Sequence, residues 1–193
     1  MKRTIIDILM ALGLVLSIAL GGIKSFAQEC ESVQNKVLRL HIPANSDSAY
    51  DQRIKLRLRD HILNIYGEQL AYETDISAAK EHIQELLPAI EAECCAFLRE
   101  NGADYSAAAE LTEMYFTTRT YEDITLPAGE YTALRITLGS GKGKNWWCVM
   151  FPPLCIPVVS EPTEELPDSL YGEGETVEIR FAVYEFFKKL LHK

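Results

Sequence analysis

Residues Tyr131 to Cys155, YTALRITLGSGKGKNWWCVMFPPLC, decide how the chain is built. From Tyr131 to Leu138 the stretch alternates. Thr132, Leu134, Ile136 and Leu138 fall on one side and Tyr131, Ala133, Arg135 and Thr137 on the other, the pattern of a strand half-buried on one face. Trp146 to Phe151 is a nearly continuous apolar and aromatic run and reads as a more deeply buried strand. Gly139 to Asn145, GSGKGKN, lies between them, so the simplest connection is a hairpin. Pro152 and Pro153 end the second strand, because neither can donate to a ladder.

Glycines and two lysines after a strand invite comparison with a phosphate cradle. A Walker-type loop places four residues between its first glycine and a Gly-Lys-Ser/Thr, and it opens a helix whose amides meet the phosphate. Here Lys142 is followed by Gly143, and Trp146-Trp147 open a strand. The segment therefore reads as an exposed basic hairpin loop on an acidic chain, suited to be a contact surface.

At 193 residues the chain is long enough for one domain with a proper core plus flanking segments. Its hydrophobic and charged fractions, 48% and 24%, are those of a globular protein rather than a disordered one. A formal net charge of -9 argues against nucleic acid as a partner, since that partner requires a basic field.

The first residues indicate export. Lys2 and Arg3 form a positive start, Ile8 to Ile23 is uncharged and largely apolar, and Ser25-Phe26-Ala27 places small residues where a signal peptidase inspects them. Residues 1–27 are expected to be a signal peptide cleaved after Ala27. An uncleaved anchor is the rival, disfavoured by Asp7 and a run shorter than a comfortable span of about 20 residues. Cys30 does not follow a lipidation box. Loss of residues 1–27 removes three basic residues and Asp7, leaving the mature chain more acidic still.

In an exported chain neighbouring thiols tend to oxidise, so Cys148 and Cys155 read first as a disulfide across the proline turn. Two buried thiols, or a pairing with Cys30, remain open. Cys94 and Cys95 are adjacent in a predicted helix and read as core packing.

Val37 to Ile42 predicts a strand, with Val37, Arg39 and His41 facing away from Leu38, Leu40 and Ile42. Pro43 closes it. Ser48 and Asp51 fit the start of a helix running to about Tyr66. Arg53, Lys55, Arg57 and Arg59 on its flanks read as a solvated surface. A second helix is predicted from Thr74 or Asp75 to Arg99, stopped by Asn101-Gly102 and kinked at Pro88. Tyr105 to Tyr121 reads as a strand, or a pair of strands with a bulge near Thr112. Leu126 to Gly129 is a turn.

The fold class expected is α+β: a single domain with two long N-terminal helices packed on a mainly antiparallel sheet, plus a C-terminal helix after a linker. The divisions are signal peptide 1–27, linker 28–35, core domain 36–157, acidic linker 158–175 and C-terminal amphipathic segment 176–193. No internal repeat is visible.

Catalytic motifs are thin. His41, His61, His82 and His192 form no HExxH pair, and neither Cys-x-x-Cys nor Gly-x-Ser-x-Gly occurs. The expectation is no catalytic set, no metal and no cofactor.

Leu38-Arg-Leu-His-Ile-Pro-Ala-Asn-Ser-Asp-Ser48 with Asp51-Gln52 resembles the N-terminal motif of the stage II sporulation protein R family. Pro127 to Gly139, Gly141-Lys-Gly143 and Asn145 to Cys155 are similar to its C-terminal motif. The likeness covers Val37 to Cys155, with His41 a minor departure. It implies a secreted signalling protein of endospore formers, made in the forespore and exported into the space between the two membranes. There it would activate a membrane-embedded aspartyl protease of the mother cell, which cleaves the precursor of sigma factor E.

On this reading the partner contact falls on the Ala44 to Asp47 loop, with Asn45, Ser46 and Asp47. It also takes in the Lys142 to Trp147 tip, with Lys142, Lys144, Asn145, Trp146 and Trp147, and Arg39 and His41 are lesser candidates. A peripheral membrane contact stays open. The competing classes are a secreted enzyme acting on cell-wall material or peptides, and a wall- or membrane-surface binding module using the C-terminal basic segment.

Overall fold

The computed structural model describes residues 2–73, 75–121 and 124–152. The expected C-terminal helix, the acidic linker and Cys155 lie outside the described residues. Those described divide into two compact units, 2–33 with 118–128 and 34–117 with 129–152.

The first unit holds helix α1 (Lys2–Gln34, whose last residue passes into the second unit) and a small antiparallel pair, β3 (Arg119–Tyr121) and β4 (Ile124–Leu126). Helix α1 continues through Ser25-Phe26-Ala27 and through most of the segment read as a linker. Ile5, Ile6, Leu9, Met10, Leu12, Leu14, Val15 and Ile18 stand exposed on it, whereas Cys30 and Val33 are buried. Among the described residues, no helix is long and apolar enough to cross a membrane.

The second unit is an α+β structure around a four-stranded mixed sheet. Its strands are β1 (Leu38–Pro43), β2 (Ala107–Phe116), β5 (Gly129–Leu138) and β6 (Asn145–Phe151), in the order β2-β5-β1-β6. This corrects the hairpin expectation: β5 and β6 are not partners. Strand β1 lies between them, parallel to β5 (Leu40 opposite Leu134) and antiparallel to β6 (Leu40 opposite Cys148). Strands are about 4.8 Å apart, so the loop from β5 to β6 steps across two spacings and over the end of β1. β2 pairs with β5 from Ala107↔Leu138 to Phe116↔Gly129 without a slip, so the bulge expected near Thr112 is absent.

Helix α2 (Ala49–Ile62) starts at Ser48, whose hydroxyl accepts from Asp51 N at 3.1 Å. It does not run to Tyr66 as an α-helix. Leu63–Gly67 forms a π-helical turn before the short α3 (Glu68–Ala71), and the wider turn leaves Leu63, Tyr66 and Leu70 buried. Helix α4 (Ile76–Glu100) is capped by Asp75, which accepts from Ser77 N and Ala78 N, and it contains Pro88. It ends at Asn101, followed by Gly102 at φ 80, the left-handed conformation that glycine adopts without cost.

Ile54, Leu58, Ile83, Ile90, Cys94 and Leu98 from the helices join Leu38, Leu40, Ile42, Leu134, Ile136 and Met150 in one core. Helix α4 also shields the edge of β2. Glu91 Oε2 accepts from Ala109 N at 2.9 Å, and Cys95 Sγ lies 3.4 Å from both Ala107 N and Ala107 O. Polar side chains thereby occupy ladder positions that an edge strand otherwise offers to other chains. The core role expected of Cys94 is met. Cys95 is only half-buried and binds backbone.

The strand alternation holds, but the one-sided burial does not. All of β1 is buried, and Tyr131 and Ala133, on the side of β5 expected to meet solvent, are buried too. Both faces of the sheet centre are covered.

Candidate functional site

β1 and β5 run parallel, so their C-terminal ends lie together. Residues 44–48, leaving β1, meet residues 139–144, leaving β5. The two loops are interlocked. Gly143 N donates to Ala44 O at 2.8 Å, Ser140 N to Asn45 Oδ1 at 3.0 Å, Ser140 Oγ to Asn45 O at 2.7 Å and Lys144 N to Asp47 Oδ1 at 2.7 Å. Gly139 N donates to Ser106 O and Gly141 N to Leu138 O. The loop's amides are thus spent on the protein itself, a direct physical reason why this is not a phosphate cradle.

The glycines follow from the crossing. A Cβ on Gly143 would overlap the Ser46 carbonyl, and one on Gly139 would overlap the Asn45 amide. Gly139 and Gly141 also sit at φ 54 and 63.

Asp51 is the centre of this junction. It is buried, and its carboxylate accepts from Ser46 Oγ at 2.5 Å, Asn45 Nδ2 at 3.1 Å and Tyr105 OH at 2.6 Å. Burial works to raise its pKa. The hydrogen bonds from Ser46, Tyr105, Asn45 and Ser48 outweigh burial and hold the carboxyl below the ordinary range. Burial and the Asp51 carboxylate together push the Tyr105 phenol up. Sequence reasoning placed Asp51 at the helix start and in the family motif, left it out of the candidate contact residues, and missed Tyr105. The local signal was a run of small polar residues followed by an acid, the pattern of a helix cap.

Lys55 is a correction. It was read as part of a solvated flank but is buried, donating to Gln52 Oε1 at 2.7 Å and to Lys144 O at 2.9 Å. Burial lowers its pKa; Asp47 acts against this, while Lys144 and Arg59 add to it.

The predicted contact residues fall into three groups. Asn45, Ser46, Asp47, Lys142, Lys144 and Asn145 come together at the loop junction; Asp47, Lys142, Lys144 and Asn145 are exposed. Trp146, half-buried, carries the Arg59 guanidinium 4.2 Å above its ring, and Asp60 binds the same guanidinium at 2.6 Å.

Arg39, His41 and Trp147 belong to the other sheet face, within the unit. Arg39 is fully buried, with its guanidinium 4.1 Å from the Phe116 ring and 4.8 Å from Tyr131. His41 stacks on Trp147 at 4.2 Å, and Phe116 meets both rings edge-on. Neither ring nitrogen of His41 has hydrogen-bond geometry to a described residue. Burial first, and then the charge of Arg135, hold its pKa down to about 4; a weak interaction with the Asn145 side chain offsets them slightly.

Among the described residues, no cluster of three His, Cys, Asp or Glu side chains is placed to hold a metal ion. Cys148 is buried, and its pairing with Cys155 falls outside the described residues.

The second unit is thus a mixed-sheet α+β domain in which the loops that follow β1 and β5 are tied into one junction. Residues 34–161 match the family model of stage II sporulation protein R, and the chain belongs to that family. It is 39% identical over 161 residues to "Stage II sporulation protein R" of Bacillus subtilis (strain 168), covering 80% of this chain and 71% of the relative. Membership supports a general role in sporulation signalling. No solved structure matches.

Proposed function

We propose that the chain is an exported, non-enzymatic ligand. It activates a membrane-embedded aspartyl protease of the mother cell and so triggers processing of the pro-sigma-E precursor. Its place of action is the space between the forespore and mother-cell membranes, reached by way of the apolar segment within α1. The observation that carries this reading is the junction around Asp51. There the two motifs of the family are tied into one preorganised surface, which meets a partner without an ordering cost. To activate, that surface must bind the active state of the protease more tightly than the inactive one, because equal binding shifts nothing.

The contact lies on the exposed groups of the junction, Asp47, Lys142, Lys144 and Asn145. Asn45 and Ser46 set its shape, His41 supports Trp147 from inside, and Arg39 packs on Phe116, which meets the same ring. A disulfide between Cys148 and Cys155 fastens the end of β6; its support is that Cys30, Cys94 and Cys95 all carry thiols.

The test is co-expression of the full chain, the protease and the sigma precursor in a host lacking the sporulation pathway. Precursor cleavage is expected with the complete chain and not after deletion of residues 1–27. Absence of cleavage with the complete chain, equal cleavage without the leader, or release of wall fragments by the purified protein would each overturn the proposal.

A further inference from the structure

The interlocked loops spend most of their backbone amides on one another, and two lysines project from them. Lys142 and Lys144 are exposed, and neither ammonium has an ion-pair or hydrogen-bond partner among the described residues. Next to them on the flank of α2 lie Lys55, bound to the Lys144 carbonyl, and Arg59, fixed in direction between Asp60 and the Trp146 ring. Lys144 and Arg59 are both close enough to Lys55 to disfavour its charge, with Asp47 and Asp60 the acids beside them. This concentration of cations stands out on a chain of formal charge -9.

We infer that Lys142 and Lys144, with Arg59 over the Trp146 ring, form a seat for an acidic peptide segment of a protein partner. The inference rests on the ligand reading above and gives the chemistry of the partner's contacting segment. Carboxylates suit the seat for two reasons. Arg59 lies over the Trp146 ring with its Nε and Nη2 already on Asp60, so Nη1 is the donor left for an incoming carboxylate. The lysines are unpaired and project from a loop that does not need to reorganise. An anionic bilayer fits less well, because it would face the negative field of the whole chain, whereas a short acidic segment meets mainly charges within a Debye length of about 8 Å at physiological salt.

The experiment uses the full chain and the double variant Lys142→Glu/Lys144→Glu. Because both side chains are exposed and carry no internal bond, the variant is expected to unfold at the wild-type temperature. The probes are a fluorescent decaglutamate peptide, a decalysine control and phosphatidylglycerol vesicles. The expected result is salt-sensitive binding of decaglutamate alone, weakened at least tenfold in the variant. Wild-type protein that ignores decaglutamate, a variant that binds it equally, or binding confined to vesicles would overturn the inference.

The co-expression assay separates this inference from the reading beneath it. Unchanged precursor cleavage with the double variant sinks the acidic seat and leaves the signalling role standing. No cleavage with the wild-type chain sinks the signalling role itself.

Discussion

Lowering the pH from about 7 to about 4 tests whether the second face of the sheet is built around an uncharged His41. The imidazole is 4% exposed, stacks on Trp147, and lies opposite Arg135 in the β1–β5 register with Arg39 two residues away on the same face. A proton there would add a third cation to this apolar face. The folded pKa is about 4, against an ordinary value of 6.5. The sign follows from that depression. Above pH 6.5 both folded and unfolded chains hold neutral His41, and its contribution is fully present. Between 6.5 and 4 the unfolded chain takes up the proton and the folded chain does not, so stability falls. A difference of 2.5 units corresponds to about 3 kcal/mol.

The comparison is with His41→Phe, which keeps an aromatic ring against Trp147 and cannot titrate. Urea unfolding followed by tryptophan fluorescence, at half-unit pH steps, reads the free energies. Wild type should lose about 3 kcal/mol more than the variant across this interval. Parallel curves for the two proteins would refute a buried neutral His41, since His61, His82 and the carboxylates are common to both.

Asp51→Ala removes the acceptor shared by Ser46, Asn45 and Tyr105 and should cost about 3 kcal/mol; thermal denaturation measures it, and a loss under about 1 kcal/mol contradicts the keystone role. Because Asp51 titrates below the ordinary carboxylate range, its contribution is present above that range and disappears as the pH falls through its folded pKa. Gly143→Ala drives a methyl into the Ser46 carbonyl and should cost about 2 kcal/mol. Alkylation of the denatured exported protein should add three labels before reduction and five after, from three thiols among five cysteines; five labels before reduction would rule out the Cys148–Cys155 bond. If present, that short loop stabilises by about 2.5 kcal/mol at most.

The sequence revealed those elements whose signals are local. Asp75 and Asn101-Gly102 bracket α4 because capping is written within a few residues of each end. β5 and β6 were recognisable as strands from alternation and from the apolar run. Their pairing was not, because a short glycine loop between two strands looks the same whether it closes a hairpin or steps over a third strand. The partner that decides the matter, β1, lies far away in sequence. Lys55 was misread for a similar reason: its neighbours in the chain are charged and exposed, but its ammonium is claimed by a carbonyl 89 residues on. Asp51 showed its capping neighbour and concealed Tyr105. The motif residues of the family were legible as a motif, while their joint use in one junction appears only in three dimensions.

The position of β1 has a consequence for how the molecule is made. It is synthesised before every other strand, yet both of its neighbours, β5 and β6, come at the far end of the described chain. Until Gly129 to Leu138 has been added LRLHIP has neither ladder filled, and until Asn145 to Phe151 follows it has only one, although α2 and α4 can already coil. A nascent chain halted before Trp146 therefore holds a central, fully buried strand half-sheathed and prone to self-association. Completion of the sheet is a late, long-range event that waits for β6 to arrive.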